Sequence, residues 1–168
     1  MVGGSKVLGE AQTNRVWQGM ISAEIRAKYF ADLSGRLLRR QRLGTWFTLL
    51  FASSSVVSLL ATIPKEWAWI RLILAVGATA TSIYMALAGN IQKAFDCSNL
   101  HERLSRLHQG YQGIWEDIEA PDAPMLLQEL DSRQIEISKS SISLPYNKKA
   151  MGKWQTHTER EHGLLPVA

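Results

Sequence analysis

The side chains best suited to chemistry in this 168-residue chain are its single cysteine and its four histidines. Cys97 and His101 are four residues apart, so a helix would place two metal-ligating groups on one face. A metal site needs further ligands, and nothing in the pattern directs Asp96 or His108 toward that pair. We therefore predict no bound metal and no cofactor, with Cys97 and His101 on an ordinary helix surface. The other three histidines are expected to be exposed to solvent.

A second set of residues is small or polar and lies within strongly apolar sequence. They recur every four residues, which places each set on one helix face. Small residues at this spacing let two helices approach closely, and hydroxyl groups can hydrogen-bond across the contact. In an assembly of several copies, one such face could instead line a weakly selective pore. These candidate pore-lining or helix-packing residues are Ser54, Ser58 and Thr62, followed by Ala78, Ser82, Ala86 and Asn90.

Motifs for catalysis are not apparent. The sequence has no nucleophile-elbow serine, no phosphate-binding glycine loop, no dinucleotide fingerprint and no paired-histidine zinc motif. The carboxylates are scattered on polar segments, so no catalytic residue is predicted and we expect the chain not to be an enzyme. A membrane-bound enzyme using His101 or Cys97 is the weakest of the alternatives.

The small and polar candidate residues lie in two charge-free stretches, residues 44–63 and 72–91. Each has 20 residues, which as a helix spans roughly 30 Å, the thickness of a bilayer's hydrocarbon core. The overall mean hydropathy of -0.09 averages these stretches with polar flanks. The pattern predicts an all-α integral membrane protein: a two-helix hairpin with amphipathic cytoplasmic helices before and after it. A buried hairpin in a soluble bundle is the alternative.

The flanks of the two stretches indicate an orientation. Trp46, Trp67 and Trp69 stand at the stretch ends, where amphipathic rings settle at headgroup level, and we predict them to be interface anchors. Basic residues are concentrated in residues 26–42 and 92–111, with few in the tip, which places both termini in the cytoplasm. The same basic residues favour contact with anionic lipid headgroups. No nucleic-acid-binding motif accompanies them, so the expected partner is the lipid bilayer and not nucleic acid.

The remaining segments are predicted to be helical up to a polar end. The segment after the second stretch contains a heptad seam of six residues. This seam could pack against another copy of the chain or against the N-terminal helix. The candidate oligomer seam consists of Leu100, Leu104, Leu107, Tyr111, Ile114 and Ile118. The predicted divisions are a flexible tail (1–12), a cytoplasmic amphipathic helix (13–42), transmembrane helix 1 (43–63), an external tip (64–71), transmembrane helix 2 (72–91), a cytoplasmic helix with the seam (92–120), a short helix and loop (121–144) and a polar C-terminal tail (145–168).

The order of these parts resembles the SLATT family of bacterial two-transmembrane effector domains. The resemblance covers roughly residues 16–137 and rests on AKYF (27–30) before the first stretch and on His101, Tyr111 and Glu116 after the second. It implies a pore that kills or arrests the cell, often against phage, when a linked sensor responds. We expect no fused sensor or nuclease domain, and therefore a separately encoded sensor or nucleotide-synthase protein as trigger.

Together these patterns predict a multi-pass protein of the bacterial inner membrane. Its expected function is to oligomerise and permeabilise that membrane in anti-phage or conflict defence, as a homo-oligomer. The alternative is a non-enzymatic membrane anchor or adaptor that recruits a partner through its cytoplasmic helices.

Overall fold

A computed structural model describes residues 8–53, 62, 64 and 68–164. The secondary structure of these residues is helical and contains no strand, which confirms the predicted all-α class. The helices are α1 (Glu10–Ala52), α2 (Ala68–Leu87), α3 (Asn90–Glu116), α4 (Ala123–Ser140) and α5 (Lys148–Glu161). The described residues divide into two compact units. The apolar unit comprises Ser34–Phe95, and the bundle unit comprises the residues before Ser34 together with those after Phe95.

In the bundle unit, α3 runs antiparallel to the first part of α1. His108 Nδ1 lies 3.1 Å from the carbonyl oxygen of Met20, and His101 Nδ1 lies 3.0 Å from that of Ala27. A carbonyl oxygen can only accept, so both imidazoles donate from Nδ1. The two histidines are seven residues apart, as are the two carbonyls. This equal spacing keeps the two helices in register over two turns.

The predicted heptad seam forms the core of the bundle unit. Its first five residues are buried, with Leu104 and Tyr111 completely inaccessible to solvent. Ile118 lies beyond the end of α3 and is half-buried. Of the two partners left open by the sequence, the structure shows the chain's own α1, because the ring of Tyr111 packs directly on Gly19. The seam is therefore not an exposed surface for a second copy.

The C-terminal segment is not the predicted polar tail, because residues 148–161 form helix α5. Asn147 caps its first turn by accepting a hydrogen bond from the backbone N–H of Ala150 at 3.1 Å. Only Thr158 of α5 is buried. The helix therefore buries little of its own surface, and polar contacts hold it against α1.

The apolar unit contains the later part of α1, all of α2 and the first turn of α3. The side chain of Met85 packs onto Gly44, where a Cβ atom would overlap its sulfur, so α1 and α2 are in contact. Ser34 Oγ donates a hydrogen bond of 3.0 Å to the carbonyl oxygen of Ala94. A small residue thus lets α1 and α2 meet closely, and a hydroxyl joins α1 to the start of α3.

The helix boundaries differ from the predicted divisions in two places. Helix α1 is continuous across position 42, where the sequence divided a cytoplasmic helix from a span. Helix α2 ends at Leu87, and Gly89, with φ of 58°, separates it from α3. A glycine adopts this left-handed conformation without the steric cost of a Cβ atom. The second predicted span therefore contains a helix break near its end, where the sequence suggested an uninterrupted helix.

Candidate functional site

The outward face of the apolar unit carries large apolar side chains exposed to the surroundings. Leu72 is 66% exposed and Leu87 is 81% exposed. The full set is Leu38, Leu43, Trp46, Phe47, Leu49, Leu50, Trp69, Leu72, Ile73, Val76, Ile83, Tyr84, Leu87, Ile91 and Phe95. A soluble monomer rarely exposes a contiguous apolar patch of more than a few hundred Å². This exposed apolar face is the most distinctive surface in the described residues.

One helical stretch in the described part of the chain, Leu72–Glu116, is long and apolar enough to cross a membrane by length and composition. Its most apolar window has a mean hydropathy of 1.7, and none of that window is buried. This exposure differs from that of a core helix in a soluble protein, which is mostly buried. The second half of the first predicted span lies outside the described residues, and the two-span hairpin stays a prediction.

The predicted packing or pore-lining residues of the second stretch occupy different environments. Ala78 and Ser82 are half-buried, whereas Ala86 is exposed. Ser82 Oγ donates to the carbonyl oxygen of Ala78 at 2.9 Å, so this hydroxyl is satisfied within its own helix. Asn90 is buried, and its Nδ2 has no hydrogen-bond partner among the described residues. The half-buried positions agree with the packing interpretation for Ala78 and Ser82.

The corresponding residues of the first stretch are less informative. Ser54 and Ser58 lie outside the described residues, and Thr62 is an exposed turn residue. Among the predicted interface anchors, Trp46 and Trp69 are exposed, as a ring at headgroup level must be. Trp67 lies outside the described residues.

Cys97 and His101 do not lie on an open helix surface as predicted. Cys97 is completely buried. Burial, with a further contribution from the negative charge of Asp96, raises the pKa of its thiol to about 11. A thiol with such a pKa is a poor nucleophile and a poor metal ligand near neutral pH. No group of three potential ligands for a metal ion occurs among the described residues.

The structure reveals a charged cluster between α1 and α5 that sequence reasoning missed. Lys28 Nζ lies 2.8 Å from Glu24 Oε1 and also pairs with Glu161. His162 Nε2 lies 2.7 Å from Glu24 Oε2. We call these four residues, Glu24, Lys28, Glu161 and His162, the ionic clasp. His162 is half-buried here, as is His108 on α3, so the prediction of solvent exposure was wrong for both histidines.

The ionic clasp changes the acid–base properties of its members. Burial alone would raise the pKa of Glu24, but hydrogen bonds and positive charge from Lys28 and His162 outweigh burial and lower it. The pKa of Lys28 is raised, because bonds to Glu161 and Glu24 outweigh the opposite effect of burial. The hydrogen bond from Lys28 also lowers the pKa of Glu161. Each shift favours the charged form, so the clasp is strongest when all its ionic partners are charged.

Two aromatic residues extend the attachment of α5 beyond the clasp. The hydroxyl of Tyr29, a buried residue, donates to the carbonyl oxygen of Pro145 at 3.0 Å and accepts from the backbone N–H of Asn147 at 2.9 Å. Trp154 Nε1 donates to Asp32 Oδ2 at 3.2 Å. The available sequence signals were Asn147 as a helix cap and the i, i+4 pair of Glu24 and Lys28. Neither signal reveals the partner helix.

No model of a known protein family, no characterised protein and no solved structure matches this chain. The features of this chain that bear on its function are the exposed apolar face and the bundle unit.

Proposed function

We propose that this chain is a two-span protein of the bacterial inner membrane with both termini in the cytoplasm. The observation that carries the proposal is the exposed apolar face of α1 and α2. Water would disfavour that face by about 25 cal/mol for each Å² of apolar surface, whereas lipid tails accommodate it. The charge-free stretch 44–63 supplies the first span, and residues 72–91 supply the second. The basic residues of positions 26–42 lie on the cytoplasmic side.

Within that membrane, the proposed activity is permeabilisation by an oligomer of the chain. Two helices cannot enclose a channel, so several copies must assemble through their spans. The buried seam is not available for that assembly, and the contacts between copies are therefore made by the spans themselves. Activation comes from a separate sensor protein acting on the bundle unit. This mechanism agrees with the resemblance to the SLATT family and uses no catalytic residue.

Dye leakage from liposomes tests this activity directly. The full chain is reconstituted at several protein-to-lipid ratios, and its mass is measured in nanodiscs after correction for bound lipid. Replacing Ser54 and Ser58 by Leu should reduce leakage severalfold while leaving insertion unchanged. The pore wall would lose the hydroxyl groups that bind water and keep the pore hydrated. The matched control replaces the neighbouring Val56 and Val57 by Leu and should leak like the parent protein. Undiminished leakage from the serine variant would rule out a pore lined by that face.

A membrane adaptor is the second candidate, and the buried seam favours it. With the seam closed inside the bundle unit, the cytoplasmic part has a complete core in a single copy. An adaptor predicts a monomer or dimer in nanodiscs and no leakage at any protein density. A discrete assembly of several copies that releases dye would exclude the adaptor.

A further inference from the structure

Arg26 has an unusual environment for a charged side chain. It lies on α1 and is half-buried, with Nη1 donating to Ser138 Oγ at 3.1 Å and Nη2 donating to Ser141 Oγ at 3.3 Å. Among the described residues no carboxylate pairs with it. Burial lowers the pKa of Arg26 from its ordinary value of 12.5, yet a guanidinium stays charged at neutral pH. A buried charge is normally matched by an opposite charge.

The two serines orient this guanidinium but have no spare hydrogen for a ligand. Ser138 Oγ already donates to the carbonyl oxygen of Gln134 at 2.8 Å, and Ser141 Oγ donates to that of Ser138 at 2.8 Å. Both hydroxyls therefore act as acceptors toward Arg26 and fix its plane. A guanidinium has five N–H donors, and the two serines use only two of them. The others remain for a further acceptor.

Two grooves of the bundle unit share lining residues on α1. The first, of about 750 Å³, lies between α1 and α4, and the second, of about 410 Å³, lies between α1 and α5. Gln18 and Ser22 line both grooves. Arg26 lines the second groove, which is otherwise largely apolar and includes Trp17 and Met151. The second groove thus places an apolar wall beside the guanidinium of Arg26.

The charges around these grooves are unbalanced. The lining cations are Arg15, Arg26 and Lys139, and the lining anion is Asp131. Asp131 pairs with Arg15 at 2.8 Å. Three cations and one anion leave a net charge of +2, carried by Arg26 and the exposed Lys139. Such a surface attracts an anion, and the planar donor fork of arginine suits a phosphate.

We propose that the junction of these two grooves binds a phosphate group, with Arg26 and Lys139 as its ligands and Ser138 and Ser141 as positioning residues. The apolar side, with Trp17 and Met151, receives the uncharged portion of the phosphate-bearing molecule. The site lies wholly in the bundle unit, so it does not rest on the proposed membrane activity and would persist if that activity were absent.

Calorimetric titration of the full chain in a neutral detergent tests this site, with inorganic phosphate and then pyrophosphate as probes. Both should bind at constant ionic strength, and chloride should not. Arg26→Gln should weaken binding by about tenfold or more, because it removes a charge-assisted fork. Lys139→Gln should weaken binding by a smaller factor. Arg133→Gln, an exposed arginine of α4 outside both grooves, is the matched control and should bind like the parent protein.

The outcomes separate the sources of the phosphate. Nanodiscs containing phosphatidylglycerol, compared with phosphatidylcholine alone, should reduce the apparent affinity for pyrophosphate if a lipid headgroup occupies the site. Unchanged affinity in both lipids identifies a soluble phosphate compound. Lys139 is exposed, so its variant stays informative if Arg26→Gln fails to fold. Absence of binding by the parent protein, or equal affinity in the Lys139, Arg26 and Arg133 variants, would overturn the proposal.

Discussion

At the scale of single residues, Gly19 sets how closely α1 and α3 approach. A Cβ atom at this position would lie 2.6 Å from Tyr111 Cζ, so Gly19→Ala should destabilise the protein by about 1–3 kcal/mol through overpacking. Gly113→Ala, in α3, meets nothing within 4 Å and should stabilise by about 0.5–1 kcal/mol through helix propensity. Thermal unfolding in detergent, followed by circular dichroism, measures both changes. Equal shifts for the two variants would contradict the close contact.

The sequence identified several of these residues without their partners. The seven-residue spacing of His101 and His108 is visible in the sequence, but not the carbonyl oxygens of Met20 and Ala27 that accept hydrogen bonds from them. Cys97 was assigned to a surface because its position on a helix does not show what packs over it. Periodicity gives the direction of a side chain, whereas its environment depends on tertiary packing.

At the scale of elements, α5 should detach from α1 in acid, because the ionic clasp and not a large apolar interface holds it there. Glu24 and Glu161 have pKa values lowered below 4.5, so their stabilisation is complete above that pH and is lost as the pH falls through the lowered values. Hydrogen exchange of α5 amides, corrected for intrinsic rates, should show this loss as the pH falls below 4.5. Amides of the buried α3 should remain protected longer.

A substitution pair isolates the contribution of the clasp to this pH dependence. Glu24→Gln should destabilise the protein at neutral pH by about 1–2 kcal/mol, because it removes two charged contacts, and should flatten the acid dependence. Glu102→Gln removes an exposed ion pair with Arg106 and should change stability by less than about 0.5 kcal/mol. An unchanged acid slope in the Glu24 variant would show that other carboxylates control the transition.

The elements themselves were only partly predictable. Helices α1 to α4 follow apolar periodicity or charge-free runs, and the sequence indicated them. Helix α5 has one buried residue, Thr158, and its attachment uses charges and aromatic N–H and O–H groups instead. A pattern of hydrophobic residues cannot reveal such a helix. The helix break at Gly89 was also missed, because a glycine within an apolar run is compatible both with a continuous span and with a helix end.

At the scale of the whole molecule, a heptad seam specifies a buried face but not the chain that buries it. Residues 100–114 could have joined a second copy, and the structure shows that they pack inside one chain. The sequence could not decide between these arrangements, because the same apolar spacing satisfies both. The second charge-free stretch, residues 72–91, carries the proposal of a membrane span, because its large apolar side chains are exposed.

That inference predicts a sharp response to charge on the apolar face. Val76 is 60% exposed in the middle of α2. An aspartate at the centre of a span opposes insertion by about 2.5–3.5 kcal/mol, so Val76→Asp should move much of the protein out of the membrane fraction. Met125→Asp is the matched control, because Met125 is 68% exposed on α4 of the bundle unit. Carbonate extraction and flotation measure the partition. Equal membrane retention of both variants would mean that α2 does not enter the bilayer, and the exposed apolar face would then need a protein partner.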